Sequence, residues 1–447
     1  MIPLLAVAVL LQQPVLADTQ PGRPCRVVVD SIGHAYREIT SATGDKTSHG
    51  GGGVLAHCEG TASTIAADSF AHYSALGRLD LIGHVQIRDT GLALDARLAR
   101  YYLRDERLEA HNNVVAVNRR TGAVLRGPNL KYWRAAPGIR DTVEMYATSR
   151  PTVEYRAEPG DTSEPYIIIA DRIRFKGEDR MWGGGNVTVD RSDFASRSDS
   201  LMLDETRGFG VLTGKPRVLG RGARGADGAG DDSYTLTGTR IELGLEQREV
   251  RLVKALGNGQ ATGADWTLTA DTIHLVVAER MLQQTFAWGD STRPHAVSAL
   301  YTIQADSLAI DSPGEVLTET RAFGKAFSTA RRDSTTPVAQ TDWITGETLT
   351  TRFVQERDSL GKERSRLRQI VALGSARALT HQVNARDSTA GPAINYSRGD
   401  RIDVTLHDEG IERVFVIGRA DGVHLEPLPP APPPADTTAL PPPPARP

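Results

Sequence analysis

At 447 residues the chain is long enough for two or three ordinary domains or for one repeat array. Its 39% apolar content, 43 glycines and 25 prolines suit many short strands punctuated by turns and exclude a protein of long helices. A net charge of −3 leaves no basic field to hold a phosphate backbone, so nucleic acid is excluded as a partner.

The chain opens with an apolar run, Ile2 to Leu11, followed by Val15-Leu16-Ala17. Small or aliphatic residues at the last and third-last positions suit signal peptidase, so residues 1–17 read as a signal peptide cut after Ala17. The run is too short to cross roughly 30 Å of hydrocarbon as a helix. No Lys or Arg precedes it, and an uncleaved anchor is the alternative. Residues 18–66 then form an N-terminal β unit that holds both cysteines, Cys25 and Cys58. In an oxidising compartment such as the periplasm these two can pair. They cannot build a zinc site, because His57 beside Cys58 does not supply ligand spacing, and no metal site is expected. His49-Gly50-Gly51-Gly52-Gly53 resembles a lipase oxyanion loop, but no G-x-S-x-G elbow accompanies it, so it reads as a flexible turn.

From residue 67 to 425 one pattern recurs. A small residue, usually followed by an acid, precedes an aliphatic or aromatic residue by three positions. Copies are Ala67-Asp68, Gly127-Pro128, Ala170-Asp171, Ser198-Asp199, Gly238-Thr239, Ala270-Asp271, Ala305-Asp306, Gly346-Glu347 and Gly399-Asp400, with a degenerate copy near Asp95 and Leu98. The average step is roughly 37 residues, in the range of stacked repeats. Each unit has a second half led by a glycine, as in Gly83-His84-Val85, Gly185-Asn186-Val187, Gly324-Lys325-Ala326, Gly374-Ser375-Ala376 and Gly418-Arg419-Ala420. Apolar positions alternate with period two, the strand signal. Across each small-acid pair the phase slips by one: Leu268 and Ala270 are even, Ile273 and Leu275 odd. Such a slip throws the apolar face outward unless the strand bends there. Each small-acid pair is therefore read as a corner, with the carboxylate bonding to nearby backbone N–H groups. Loops are expected over 220–232 and 331–341. Residues 426–447 are proline-rich and expected to be an extended, disordered tail.

This alternation, A-D-x-φ-x-φ followed by G-x-V-x-V in tandem behind a signal peptide, resembles the OstA-like β-jellyroll family, which includes the periplasmic bridge of lipopolysaccharide transport and the periplasmic domain of the outer-membrane translocon. The likeness covers roughly residues 26–425 and rests on recurrence of a short motif. The chain is longer than the usual bridge subunit, and no amphipathic barrel follows the repeats. The resemblance implies an all-β, elongated jellyroll or solenoid of antiparallel strand units bent into a V-shaped groove. It also implies a periplasmic, non-enzymatic function without a cofactor, in which an apolar groove shelters the acyl chains of a lipid such as lipopolysaccharide. Inward positions expected to line that groove are Ile173, Phe175, Leu201, Leu203, Ile241, Leu243, Ile273, Leu275, Leu308, Ile310, Ile402 and Val404; the same residues would equally fill a dry β core. Val27, Val29, Val414 and Val416 lie in terminal β-prone segments that could pair with other jellyroll components by strand addition. Two competing functions are a secreted β-solenoid acting on polysaccharide and a purely structural envelope protein. The acids recur once per unit at turns, whereas catalytic carboxylates form a local pair, which disfavours the enzyme.

Overall fold

The computed structural model describes residues 26–427 apart from 136–137, 139, 157–159, 161, 178, 222–231, 264–265, 299–300, 331–340, 358–362, 383–391 and 408–409. The signal segment, Cys25, most of the two expected loops and residues 428–447 of the tail lie outside the described residues. The described chain is all-β, and its one helical element is the 3₁₀ turn Pro313–Glu315. It divides into two units, one comprising residues up to Gly214 with Leu245–Glu249, the other Lys215–Gly244 and the chain from Val250.

Both units are antiparallel meanders in which a strand pairs with the one before it and the one after it. In the first unit Thr64–Tyr73, Arg78–Arg88, Leu92–Tyr102, Arg107–Asn118 and Val124–Trp133 follow one another in this way. In the second, Glu319–Ala330, Asp342–Arg357, Glu363–Gln382 and Ala393–His407 do the same. The longer strands bend near their middle, so each has two arms. Thus Arg180–Gly184 pairs with Ser200–Asp204, while Val187–Arg191 pairs with Phe194–Ser198. Where the bend is sharpest the two arms separate into distinct strands, as in Tyr166–Ile169 and Arg172–Lys176 on either side of Ala170-Asp171.

The corners are of two kinds, and they alternate along the chain. One kind is a pair of consecutive left-handed residues. Gly52-Gly53, Gly83-His84, Asn112-Asn113, Ser149-Arg150, Gly185-Asn186, Gly214-Lys215, Gly257-Asn258, Gly324-Lys325, Gly374-Ser375 and Gly418-Arg419 all have positive φ. The other kind is the small-acid pair on the facing strand. Between flanking partners the left-handed strand uses one residue more: Ile82 to Val85 spans three steps where Leu98 to Ala96 spans two, and Gly184 to Val187 three where Ser200 to Ser198 spans two. That extra residue is a β-bulge, which bends its strand. The facing strand answers with a one-residue phase slip, and the apolar face stays inside on both arms. Small residues sit at the inner apex because methyl groups from the two arms converge there; Ala170, Ala270 and Ala305 have no exposed surface.

Each small-acid pair lies at the corner of its own strand, as expected; the glycine-led pair forms the corner of the facing strand, and the acid packs against it. Backbone N–H groups of Asp171, Asp199 and Asp400 donate to the carbonyls of Gly185, Gly214 and Gly418. The expected carboxylate-to-backbone bonding holds for Asp271, which accepts from Ser291 N–H at 2.8 Å and Thr292 N–H at 3.0 Å. Elsewhere the carboxylate instead meets a corner side chain: Asp68 with His84 at 2.8 Å, Asp171 with Asn186 at 2.9 Å, Asp400 with Arg419. The glycine run at 50–53 is likewise not a turn. It lies inside the strand Lys46–Cys58, with Gly52-Gly53 as its corner.

Gly185 has φ +77, and a Cβ there would run into the Asp171 carboxylate. Gly185→Ala is expected to destabilise the first unit by about 1–3 kcal/mol, whereas Gly51→Ala, whose Cβ would meet only Ser69 Cβ at 3.7 Å, changes stability by less than about 1 kcal/mol. Chemical denaturation midpoints of the two variants check this.

Candidate functional site

Because paired residues share a face of a sheet, the register decides which side chains meet on the inner side. Ile173 lies between Ala147 and Gly183, Leu201 between Gly183 and Leu212, and Phe175 opposite Met145 and Met181. In the second unit Ile273 lies between Ala255 and Ala287, Leu308 between Ala287 and Ala322, and Ile402 between Ala372 and Val416. Large aliphatics on one strand face small ones on the next, which lets the arms interdigitate.

Of the twelve expected groove residues, Ile173, Leu201, Leu203, Ile241, Leu243, Ile273, Leu275, Leu308, Ile402 and Val404 are at most 7% exposed. Phe175 and Ile310 are half-buried. The inner faces are covered by protein at these residues. A cavity of about 30 Å³ remains in the first unit, room for a water or two, lined by Leu92, Leu125, Met145, Val153, Tyr155, Phe175 and Glu205. Its lining comes from both arms near their free ends, the side of the bent sheet opposite the corners.

Charged groups that the sequence reading missed close this side of the first unit. Arg191, the last residue of one arm, is buried at 5% exposure. It makes two bonds of 2.8 Å to Glu249, the first residue of the strand Glu249–Thr262, whose start belongs to the other arm. Arg191 also donates to Asp193 at 2.5 and 2.7 Å, and its guanidinium lies 4.0 Å over the Tyr166 ring. Burial opposes its charge, but the bonds to Glu249 and Asp193 outweigh that and hold its pKa above the usual arginine value. One residue before Glu249, Arg248 donates to Glu205 and, at 3.2 Å, to the carbonyl of Arg156. Burial raises the Glu205 carboxyl above its ordinary pKa, against the pull of Arg248. Burial, then the charge of Glu205, also pushes the Tyr155 hydroxyl up.

The terminal strands behave differently from the interior. Among the described residues Val27–Ile32 pairs only with the strand Lys46–Cys58, and Gly410–Ile417 only with Ala393–His407. Val29 and Val414 are exposed, and Val27 and Val416 half-buried. Cys58 is disulfide-bonded, and Cys25, its expected partner, lies outside the described residues. Among the described residues no group of three His, Cys, Asp or Glu side chains could hold a metal, and no helix is long and apolar enough to cross a membrane. The corner carboxylates Asp68, Asp171 and Asp400 each meet a side chain of the facing corner, spread along the corners. No family model matches the sequence, and no curated protein matches it.

Truncating a covered inner residue should leave a void that the packed arms cannot fill. Ile273→Ala is expected to cost about 2–5 kcal/mol, and Val423→Ala, at an exposed terminal strand, less than about 0.5 kcal/mol. Thermal or urea unfolding of both variants measures the difference.

Proposed function

We propose that the chain is an exported, non-enzymatic carrier of the periplasm that shelters the acyl chains of an envelope lipid of lipopolysaccharide type between the two arms of its bent sheet. One observation supports this above the others. Among the described residues the ladder hydrogen bonds all run along one arm or the other, and backbone bonds join the arms only at the corners. Away from the corners no backbone–backbone bond joins the arms among the described residues. Parting them on the side away from the corners exposes an aliphatic surface without breaking a ladder.

The energetics favour such a guest. Burying a chain of about a dozen methylenes returns roughly 10 kcal/mol, at about 0.8 kcal/mol each, enough to offset the side-chain contacts given up when the arms part locally. The half-open terminal strands suit strand addition by other jellyroll components, which would extend the apolar path from one chain to the next.

A second reading, a structural envelope protein with a permanently dry core, is favoured by the complete coverage of Ile173, Ile241, Ile273 and Ile402. Bound amphiphile separates the two. Protein taken from its native envelope in mild detergent and analysed by lipid mass spectrometry is expected to carry stoichiometric acylated lipid, and to bind cis-parinaric acid in vitro. Protein with no lipid and no fatty-acid binding would leave the structural reading standing.

A further inference from the structure

The interior of the first unit is aliphatic, yet its free-end side carries a buried ionic cluster whose partners come from different arms. Arg191 and Asp193 sit at the end of one arm; Glu249 starts a strand on the other. Arg248 and Glu249 are neighbours at one hairpin tip, where Gln247 and Arg248 both have positive φ. Such a two-residue turn is tight and presents successive side chains to different partners. Here Arg248 reaches Glu205 and the Arg156 carbonyl, which follows directly on Thr152–Tyr155, while Glu249 accepts from the two terminal guanidinium nitrogens of Arg191. The tip thus holds two points on the opposite arm at once, at sequence separations of 92 and 58 residues.

Burying ions is a poor way to add stability, because desolvation consumes most of what the pairing returns; an apolar set of the same size packs at least as well. Ions do supply a contact that is strong when complete and collapses when one member is lost or hydrated. The position matters too. Glu205 and Tyr155 line the cavity that both arms share, so the cluster stands where an entering chain would first part them.

We infer that the hairpin tip Gln247–Glu249 is a latch: Arg248, steadied by Glu205 on its own arm, holds the Arg156 carbonyl, Glu249 holds Arg191, and these two contacts keep the arms of the first unit shut until their release opens the interior to an acyl chain. The inference rests on the carrier reading above and adds the residues that regulate access. Arg191, Glu205, Arg248 and Glu249 are positioning groups here; the guest would lie on the aliphatic surface beneath them.

The test reads opening and lipid binding separately, in the full chain. Met145→Cys, in the cavity lining, reports opening by its rate of maleimide labelling. Leu275→Cys, fully covered in the second unit, reports general unfolding. Adding Glu249→Gln or Arg248→Met should raise labelling at position 145 at least tenfold and leave position 275 unchanged. Should the single variants fail to fold, the paired replacement Arg191→Met with Glu249→Leu removes both charges, keeps the volume, and should label at position 145 no faster than the parent. Parinaric acid is then added to each variant. Faster labelling together with tighter binding supports the latch and the carrier together. Faster labelling with no fatty-acid binding supports the latch and overturns the carrier. In the single variants, unchanged labelling at 145 or an equal rise at both sites overturns the latch whatever the fatty acid does, as does labelling at 145 faster than the parent in the paired variant.

Discussion

The structure depends on one steric requirement: a strand with a single apolar face can turn a corner only if that face turns with it. Two neighbouring strands solve this in complementary ways. One inserts an extra residue through a left-handed pair; the other slips its alternation by one at a small residue. Neither works alone. The bulge without the slip would point aliphatics at solvent on the second arm, and the slip without the bulge would leave the ladder out of register. The acid after the small residue completes the arrangement, since its carboxylate lies against the glycine where a Cβ would stand and meets the side chain or N–H groups of the facing corner.

Repeating that corner confines backbone pairing to the arms, apart from the corners themselves. Among the described residues each arm's ladder is closed within that arm, and away from the corners the Arg156 carbonyl, which accepts from Arg248, reaches across. What holds the arms together is interdigitated aliphatic packing, large residue against small, and, in the first unit, an ionic closure at the free ends. Packing of this kind is non-directional and can be exchanged for other hydrocarbon at little cost, whereas the ionic closure depends on all of its members. The two terms therefore divide the work: one sets how apolar the interior is, the other sets whether it is accessible.

The residues outside this scheme are informative. Ser149-Arg150 adopts the left-handed pair without a glycine or asparagine, with φ of +66 and +62, and Pro151 follows it. Left-handed geometry costs such residues roughly 1–2 kcal/mol each, so the corner is imposed there by the strands on either side rather than chosen locally. The wider connection from Gly289 to Pro294 replaces the left-handed pair at another position, and Asp271 holds it by accepting its N–H groups. The requirement belongs to the sheet and tolerates different local answers.

How much was legible in advance follows from range. Period-two alternation, the recurring small-acid pair and the one-residue slip are local, so the all-β architecture, the bends and the inward set from Ile173 to Val404 could be read from residue order alone. The small-acid corners follow from that slip, whereas the left-handed corners of the facing strands do not, because a bulge shows only against the register of a neighbour. Corners without glycine, at Asn112-Asn113 and Ser149-Arg150, left no mark. Arg191, Glu205, Arg248 and Glu249 look like ordinary solvated hairpin ends in sequence. Their burial and pairing were decided by tertiary structure, since strand pairing brings Arg248 to Glu205 across 43 residues, and only the meeting of two arms brings Arg191 to Glu249 across 58 and takes the cluster out of water.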